Sequence, residues 1–336
     1  MSPRLILALL FATSSLGLMQ EPPRPARIDA AKAQAGPQTI HDPSTIVKHA
    51  GEYWMFATGR GVASHRSKDL VTWEPGPPVF AKPPDWVTDV VPTQRGHFWA
   101  PDVILRDGRY LLYYSVSAFG KNTSAIALAS NTTLDPSDPA YRWTDHGIVV
   151  RSAPPDDYNA IDPNVMAAPD GSMWLAFGSF WGGIKLVELD PKTGMRKAPD
   201  SPLFDLADKE QIEAVALYWH DGYFYQFVNW GWCCRGTRST YNIRVGRSRR
   251  ITGPYVDREG KDLRKGGGTL LLGTEGAFIG PGHPGILEDG GRHLLSYHFY
   301  DGDRFGRSRL AIRPLEWDPD GWPRVSGPPI TPPPVR

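Results

Sequence analysis

One phrase recurs five times along the 336-residue chain, and that recurrence restricts the possible folds more than any other feature. Each copy opens near a proline or a carboxylate, runs through a few apolar residues to a glycine-containing turn, and continues into a second, aromatic-rich run. His41-Asp42-Pro43-Ser44-Thr45-Ile46-Val47 leads through Gly51 to Glu52-Tyr53-Trp54-Met55-Phe56. Trp99-Ala100-Pro101-Asp102-Val103-Ile104 leads through Asp107-Gly108, and Ile161-Asp162-Pro163-Asn164-Val165 through Asp170-Gly171. Ile212-Glu213-Ala214-Val215-Ala216-Leu217 leads through Asp221-Gly222, and Gly282-His283-Pro284-Gly285-Ile286-Leu287 through Asp289-Gly290-Gly291. Each copy reads as a β-hairpin. Proline is tolerated where a strand starts, Asp-Gly pairs favour tight two-residue turns, and aromatic and β-branched residues suit the second strand. The copies begin roughly 50–70 residues apart, a period that marks an array or a propeller. The reading is an all-β, five-bladed β-propeller over residues 39–325. Innermost propeller strands start near the central axis, so Asp42, Pro101 with its neighbours, Asp162, Glu213 and His283 are expected to converge. Three of these five are carboxylates, and a buried carboxylate without a partner is costly. A bland repeat has no need of them there.

Composition fits this picture. With 35 Gly and 33 Pro the chain is rich in turns, and sustained helical periodicity is missing after the N-terminus. Twelve Trp and 13 Tyr supply the bulk that packs between blades, Trp73 among them, and a minority could serve as sugar platforms. The formal net charge of +1 gives no electrostatic ground for a nucleic-acid partner. The run Arg244, Arg247, Arg249, Arg250 reads as a solvated strand edge. Arg4, the apolar run Leu5 to Ala12 and the small residues after it read as a secretory signal over residues 1–20, too short to span a membrane. A Pro- and Ala-rich linker follows over 21–38, and a Pro-rich tail over 326–336. The segment near Ile40 is the expected partner of the last blade. A secreted or periplasmic monomer is expected, with no membrane attachment. The two cysteines, Cys233 and Cys234, are adjacent and cannot form a disulfide framework. They are either small buried hydrophobes or, if bonded into a strained ring, a patch lining a pocket.

Three carboxylates beside aromatic side chains suit glycoside hydrolysis. That reaction needs a proton donor at the leaving oxygen and a base or nucleophile at the sugar, with their pKa values driven apart by environment. A single Asp-Pro also reads as an Asx turn; the recurring set favours chemistry. The chain resembles glycoside hydrolase family 43, and within it the endo-acting arabinanases. The resemblance rests on His41-Asp42-Pro43-Ser44, Phe98-Trp99-Ala100-Pro101-Asp102-Val103, Tyr158-Asn159-Ala160-Ile161-Asp162-Pro163 and Ile212-Glu213-Ala214. It is most specific at Trp232-Cys233-Cys234-Arg235-Gly236 with Ser239-Thr240-Tyr241.

The resemblance implies a five-bladed propeller that cleaves internal α-1,5 linkages of arabinan with inversion. Asp42 would be the base, Glu213 the acid, and Asp162 the group that raises the acid's pKa and orients it. Inversion implies about 6.5–9.5 Å between the Asp42 and Glu213 carboxyls. Trp99 and Phe119 would flank the sugar, and Asn159 and Ser179 would make polar contacts to it. His283 would hold a hydrated calcium ion on the axis; the competing reading is a histidine hydrogen-bonded to a pocket carboxylate. An exo-acting arabinofuranosidase or β-xylosidase shares the blade plan, with the loops Lys82–His97 and Ser152–Tyr158 deciding between open groove and closed pocket. A non-catalytic carbohydrate-binding propeller would lack one of the acids, and a retaining hydrolase would bring the carboxyls to about 5–5.5 Å. The chain departs from the family pattern at Val215, where Pro is expected after Ala214.

Overall fold

The computed structural model describes residues 39–330; the expected signal and linker, and the last six residues of the tail, lie outside them. Strands β1 (Val47–His49), β2 (Glu52–Ala57), β3 (Gly59–Arg60), β4 (Ala63–Ser67) and β5 (Glu74–Pro75) belong to the first repeat. The second contributes β6 (His97–Arg106), β7 (Arg109–Val116), β8 (Ser124–Asn131) and β9 (Thr144–Ser152), and the third β10 (Asn164–Ala167), β11 (Met173–Phe177), β12 (Ile184–Leu189) and β13 (Phe204–Ala207). The fourth has β14 (Ile212–His220), β15 (Tyr223–Trp230), β16 (Asn242–Ser248) and β17 (Thr269–Leu272), and the fifth β18 (Phe278–Asp289), β19 (Arg292–Asp301), β20 (Arg307–Trp317) and β21 (Pro323–Val325). Each repeat folds into one antiparallel meander, giving five sheets and five blades. The two-residue β3 leaves blade 1 and adds to the edge of blade 2 at Gly59↔Phe98.

The hairpin turns follow from their residues. In Ala50-Gly51, Asp107-Gly108, Asp221-Gly222 and Gly290-Gly291 both residues have positive φ, the geometry that matches the twist of the strands it joins. The core is five separate clusters, one between each pair of neighbouring blades. Phe56, Phe98 and Tyr114 fill the first interface, Tyr113, Leu175 and Phe177 the second, and Ile184, Val215 and Tyr255 the third. Phe227, Tyr225 and Tyr297 fill the fourth, and Ile46, Met55, Leu294 and Ile312 the fifth, where Trp73 packs as expected. The ring therefore closes between blades 5 and 1. Ile40 is buried at that seam and its N–H donates to Ser308 O at 3.3 Å. The tail also contributes: Ile330 packs into the same cluster and its N–H donates to Ile312 O at 2.7 Å.

Within the arginine run, Arg244 and Arg247 do not lie on the solvated edge that the sequence suggested, whereas Arg249 and Arg250 are exposed just past the end of β16. β16 is an inner strand between β15 and β17. The Arg244 guanidinium lies 4.4 Å from the Trp230 ring, that of Arg247 4.4 Å from both Tyr223 and Trp322, and that of Arg249 3.7 Å from Tyr223. Stacking on aromatic faces lets charged residues occupy a strand that has no free edge.

Candidate active site

Each inner strand begins at the axis with one non-glycine residue of positive φ: Asp42 (51°), Ala100 (41°), Asp162 (57°), Ala214 (54°) and His283 (59°). An L-residue in this conformation costs on the order of 1–3 kcal/mol unless its surroundings hold it. In every case the N–H of that residue is accepted by the preceding blade. Ala100 N donates to Thr58 Oγ1 (2.8 Å), Asp162 N to Ser115 Oγ (3.0 Å) and His283 N to Asn229 Oδ1 (2.9 Å). Asp42 N donates to His298 Nδ1 (3.1 Å), closing the ring, and Ala214 N to Asp162 Oδ2 (3.2 Å). This pattern corrects the sequence alignment of the repeats. Ala214, not Glu213, is the counterpart of Asp42 and Asp162, and Glu213 stands one residue earlier, at the place of His41, Trp99, Ile161 and Gly282.

Asp42 is surrounded by three histidines and a threonine hydroxyl. Its Oδ1 lies 2.8 Å from His41 Nδ1, 3.5 Å from His283 Nδ1 and 3.6 Å from His298 Nδ1. Its Oδ2 accepts the Thr58 hydroxyl at 2.5 Å. That hydroxyl already accepts the Ala100 N–H, so its own proton is committed to Asp42. Burial alone would raise the Asp42 pKa, but the charge and hydrogen bond of His41, then His283 and His298, overcome it and hold the carboxyl well below its usual range. His41 is raised in return: burial opposes its protonation, and Asp42 outweighs burial.

Glu213 has the opposite surroundings. It is 8% exposed; its Oε2 accepts the Ser179 hydroxyl at 2.6 Å and its Oε1 accepts the Tyr241 hydroxyl. Burial pushes its pKa up; the two hydroxyls pull against burial, and Asp42 adds to it. Asp162 is raised well above the ordinary range by burial, then by the negative charges of Glu213 and Asp42. Two buried carboxyls that repel each other keep a proton between them. Tyr241 reaches the acid because residue 282 is glycine: a Cβ there would lie 2.2 Å from the tyrosine ring.

The loops joining the second and third strands of each blade lie at this same end of the ring. They carry Phe119, 83% exposed, Trp181, 44% exposed, and Phe305, 97% exposed. Trp99, half-buried on β6, faces Ser115 in the ladder next to the axis. Ser179 is buried and donates its hydroxyl proton to Glu213. Asn159 is buried, and its Oδ1 accepts the Ser124 hydroxyl at 2.7 Å. His283 directs Nδ1 at Asp42, and burial lowers its pKa against the opposing pull of the Asp42 charge. One free imidazole nitrogen fits a cation that keeps most of its shell as water, since calcium itself prefers oxygen ligands. Among the described residues, the ligand atoms of His41, Asp42 and His298 also lie within 4.8 Å of one another. The His298 Nδ1 lone pair, however, is occupied by the Asp42 N–H.

Cys233 and Cys234 are bonded to each other, as the second of the two readings required, and Cys234 is exposed with φ +64°. A separate depression lined by His49, Glu52, Arg66 and Lys68 lies at the hairpin-turn end of blade 1, away from the carboxylates. Thr58, Tyr241, His298 and Tyr300 were not singled out from the sequence, although Tyr241 falls in the Ser-Thr-Tyr segment.

The chain matches the family model described as Glycosyl hydrolases family 43 over residues 36–323. It is 42% identical over 300 residues to the extracellular exo-α-(1→5)-L-arabinofuranosidase ArbA of Cellvibrio japonicus, covering 85% of this chain and 86% of that protein. It is 39% identical over 325 residues to the extracellular endo-α-(1→5)-L-arabinanase 1 of Bacillus subtilis, covering 94% and 96%. The structure of Cellvibrio cellulosa α-L-arabinanase complexed with arabinohexaose superposes with a TM-score of 0.83 at 40% identity, covering 87% of this chain and 96% of that one. With family model, relatives and ring of five blades in agreement, the chain belongs to glycoside hydrolase family 43.

Proposed function

We propose that the protein is a secreted, monomeric hydrolase of α-1,5-linked arabinan that cuts internal linkages with inversion. The observation that carries this reading is the divergence between two carboxyls at one end of the axis. Asp42 is held ionised by its histidine and threonine donors, and Glu213 is buried beside Asp162, where a proton is retained. That is the division of labour a single displacement requires. Asp42 takes a proton from the attacking water while Glu213 delivers one to the departing sugar oxygen. Asp162 keeps Glu213 protonated and, by accepting the Ala214 N–H, fixes the backbone beside it. Trp99 and Phe119 would bracket the ring being cleaved. Asn159 would offer its amide, and Ser179 would act through Glu213. A hydrated calcium ion held by His283 would supply positive charge on the axis.

Secretion is supported by the relatives named extracellular. Among the described residues no helix is long and apolar enough to cross a membrane.

Exo action is the second reading, favoured by the 42% identity to an exo-acting arabinofuranosidase. A time course on linear debranched arabinan, with the anomeric form followed by NMR, separates the two. Intermediate oligosaccharides of inverted configuration support the endo reading. A single small product from the first minute supports the exo reading, and a retained anomer removes the assignment of Asp42 as base.

A further inference from the structure

The loop between β15 and β16, residues 231–241, touches the supports of both carboxylates. At its end Tyr241 donates to Glu213. At its middle the Cys234 N–H donates to Tyr300 Oη at 2.7 Å, and Tyr300 Oη lies 2.7 Å from His41 Nε2. His41 Nδ1 then meets Asp42 at 2.8 Å. The ionised Asp42 carboxylate can only accept, and that fixes the sense of this chain: His41 carries a proton on Nδ1, toward Asp42. In a neutral His41 the Nε2 lone pair then accepts the Tyr300 hydroxyl, whose oxygen accepts the Cys234 N–H. The same Nδ1 proton is present if His41 is charged.

The loop is also fixed in place. Cys234 holds a left-handed φ of +64°, which L-residues avoid, and the ring closed with Cys233 removes its freedom to relax. Gly306 packs directly on the loop backbone: a Cβ there would lie 2.5 Å from Thr237 N. On the other side the Trp232 ring meets that of Phe180, next to Ser179, in a tilted pair at 5.1 Å, and Arg235 covers Trp232 at 4.2 Å.

We infer that the Cys233–Cys234 bond is a positioning lock: it aims the Cys234 N–H at Tyr300 and thereby orients His41 on the base Asp42. This inference rests on the proposed hydrolytic reading and adds positioning residues, Cys234 and Tyr300, that need not touch the sugar.

The test compares the native protein before and after treatment with a phosphine reductant, with the gain of two thiols confirmed by mass spectrometry and the fold checked by circular dichroism. Rates are measured on debranched arabinan and on an aryl α-L-arabinofuranoside. Reduction is expected to lower kcat by roughly tenfold to a hundredfold, the scale of a misaligned catalytic group, with KM changed less than about twofold. Tyr300→Phe is expected to show the same loss and to respond no further to reduction, because both act on one chain. The inference is overturned if reduced protein keeps its kcat, if KM alone rises (a direct sugar contact), or if Tyr300→Phe loses activity on reduction as much as the native protein does. An oxidised native protein inactive on both substrates overturns the hydrolytic reading and this inference with it.

Discussion

At the residue scale, the division between the Asp42 and Glu213 carboxyls is set by what points at them. Asp42→Asn and Glu213→Gln should each lower kcat on arabinan by roughly 10²- to 10⁴-fold while circular dichroism and melting stay close to native. Glu213→Gln should recover much of its rate on an aryl arabinofuranoside whose leaving group needs no proton. Asp42→Asn should not, and equal losses on both substrates would undo the assignment of the acid. The pH profile has a definite sign. The proposed single displacement needs Asp42 ionised, hence a pH above its depressed pKa, and Glu213 protonated, hence a pH below its raised one. The acid limb therefore lies low and the alkaline limb high. Asp162→Asn removes a neighbouring negative charge and should move the alkaline limb of kcat to lower pH. Tyr241→Phe removes a hydrogen bond that favours the ionised acid and should move it up. A profile unchanged in both variants counts against the pairing of Glu213 with these groups.

At the element scale, the axis is laced together by the ends of the second strands. Thr58, Ser115, Asn229 and His298, which accept the opening N–H groups, each stand seven residues after a turn glycine: Gly51, Gly108, Gly222 and Gly291. The fifth counterpart, seven residues after Gly171, is Gly178, which has no side chain to accept with. The Ala214 N–H turns to the Asp162 carboxylate instead. So the hairpins, their turns and the converging acids were legible as a repeat. The register at Glu213 was not, because Val215 replaces the proline that marks the other four copies. The acceptors were equally hidden, because Thr, Ser, Asn and His share only a function at that position. The arginines of β16 were misjudged because a charge run does not disclose the aromatic faces that it will cover.

Asp102 shows how strongly the lacing binds neighbouring blades. It accepts the N–H groups of Thr45 and Val165 and the Asn164 amide, each at 2.9 Å, linking blades 1, 2 and 3. Burial still raises its pKa to about 6 against those three donors. Asp102→Ala leaves three buried donors without a partner and should cost about 3 kcal/mol or more, read by denaturant unfolding. A variant as stable as the native protein would reduce this carboxylate to an incidental one.

At the scale of the molecule, five similar interfaces share the burial, and none depends on a covalent link. If His283 holds a cation on the axis, chelation should lower the melting temperature of the native protein and leave that of His283→Ala unchanged. An equal response in both would place any cation elsewhere.

The seam between blades 5 and 1 has one more consequence. Ile40 and Ile330 both dock on β20, at Ser308 and Ile312, about 13 Å apart along a strand. Between residues 39 and 330 the path of the backbone thus closes into a ring. A circular permutant that joins residue 330 to residue 39 by a short linker and starts at Gly171 should fold and keep its kcat/KM, because that turn lies at the far end of blade 3 with open space around Gly171. The same circle cut between Cys234 and Arg235 should still assemble its five blades, yet turn over arabinan slowly. Comparing the two permutants by melting and by rate would separate what makes the ring from what makes the catalyst.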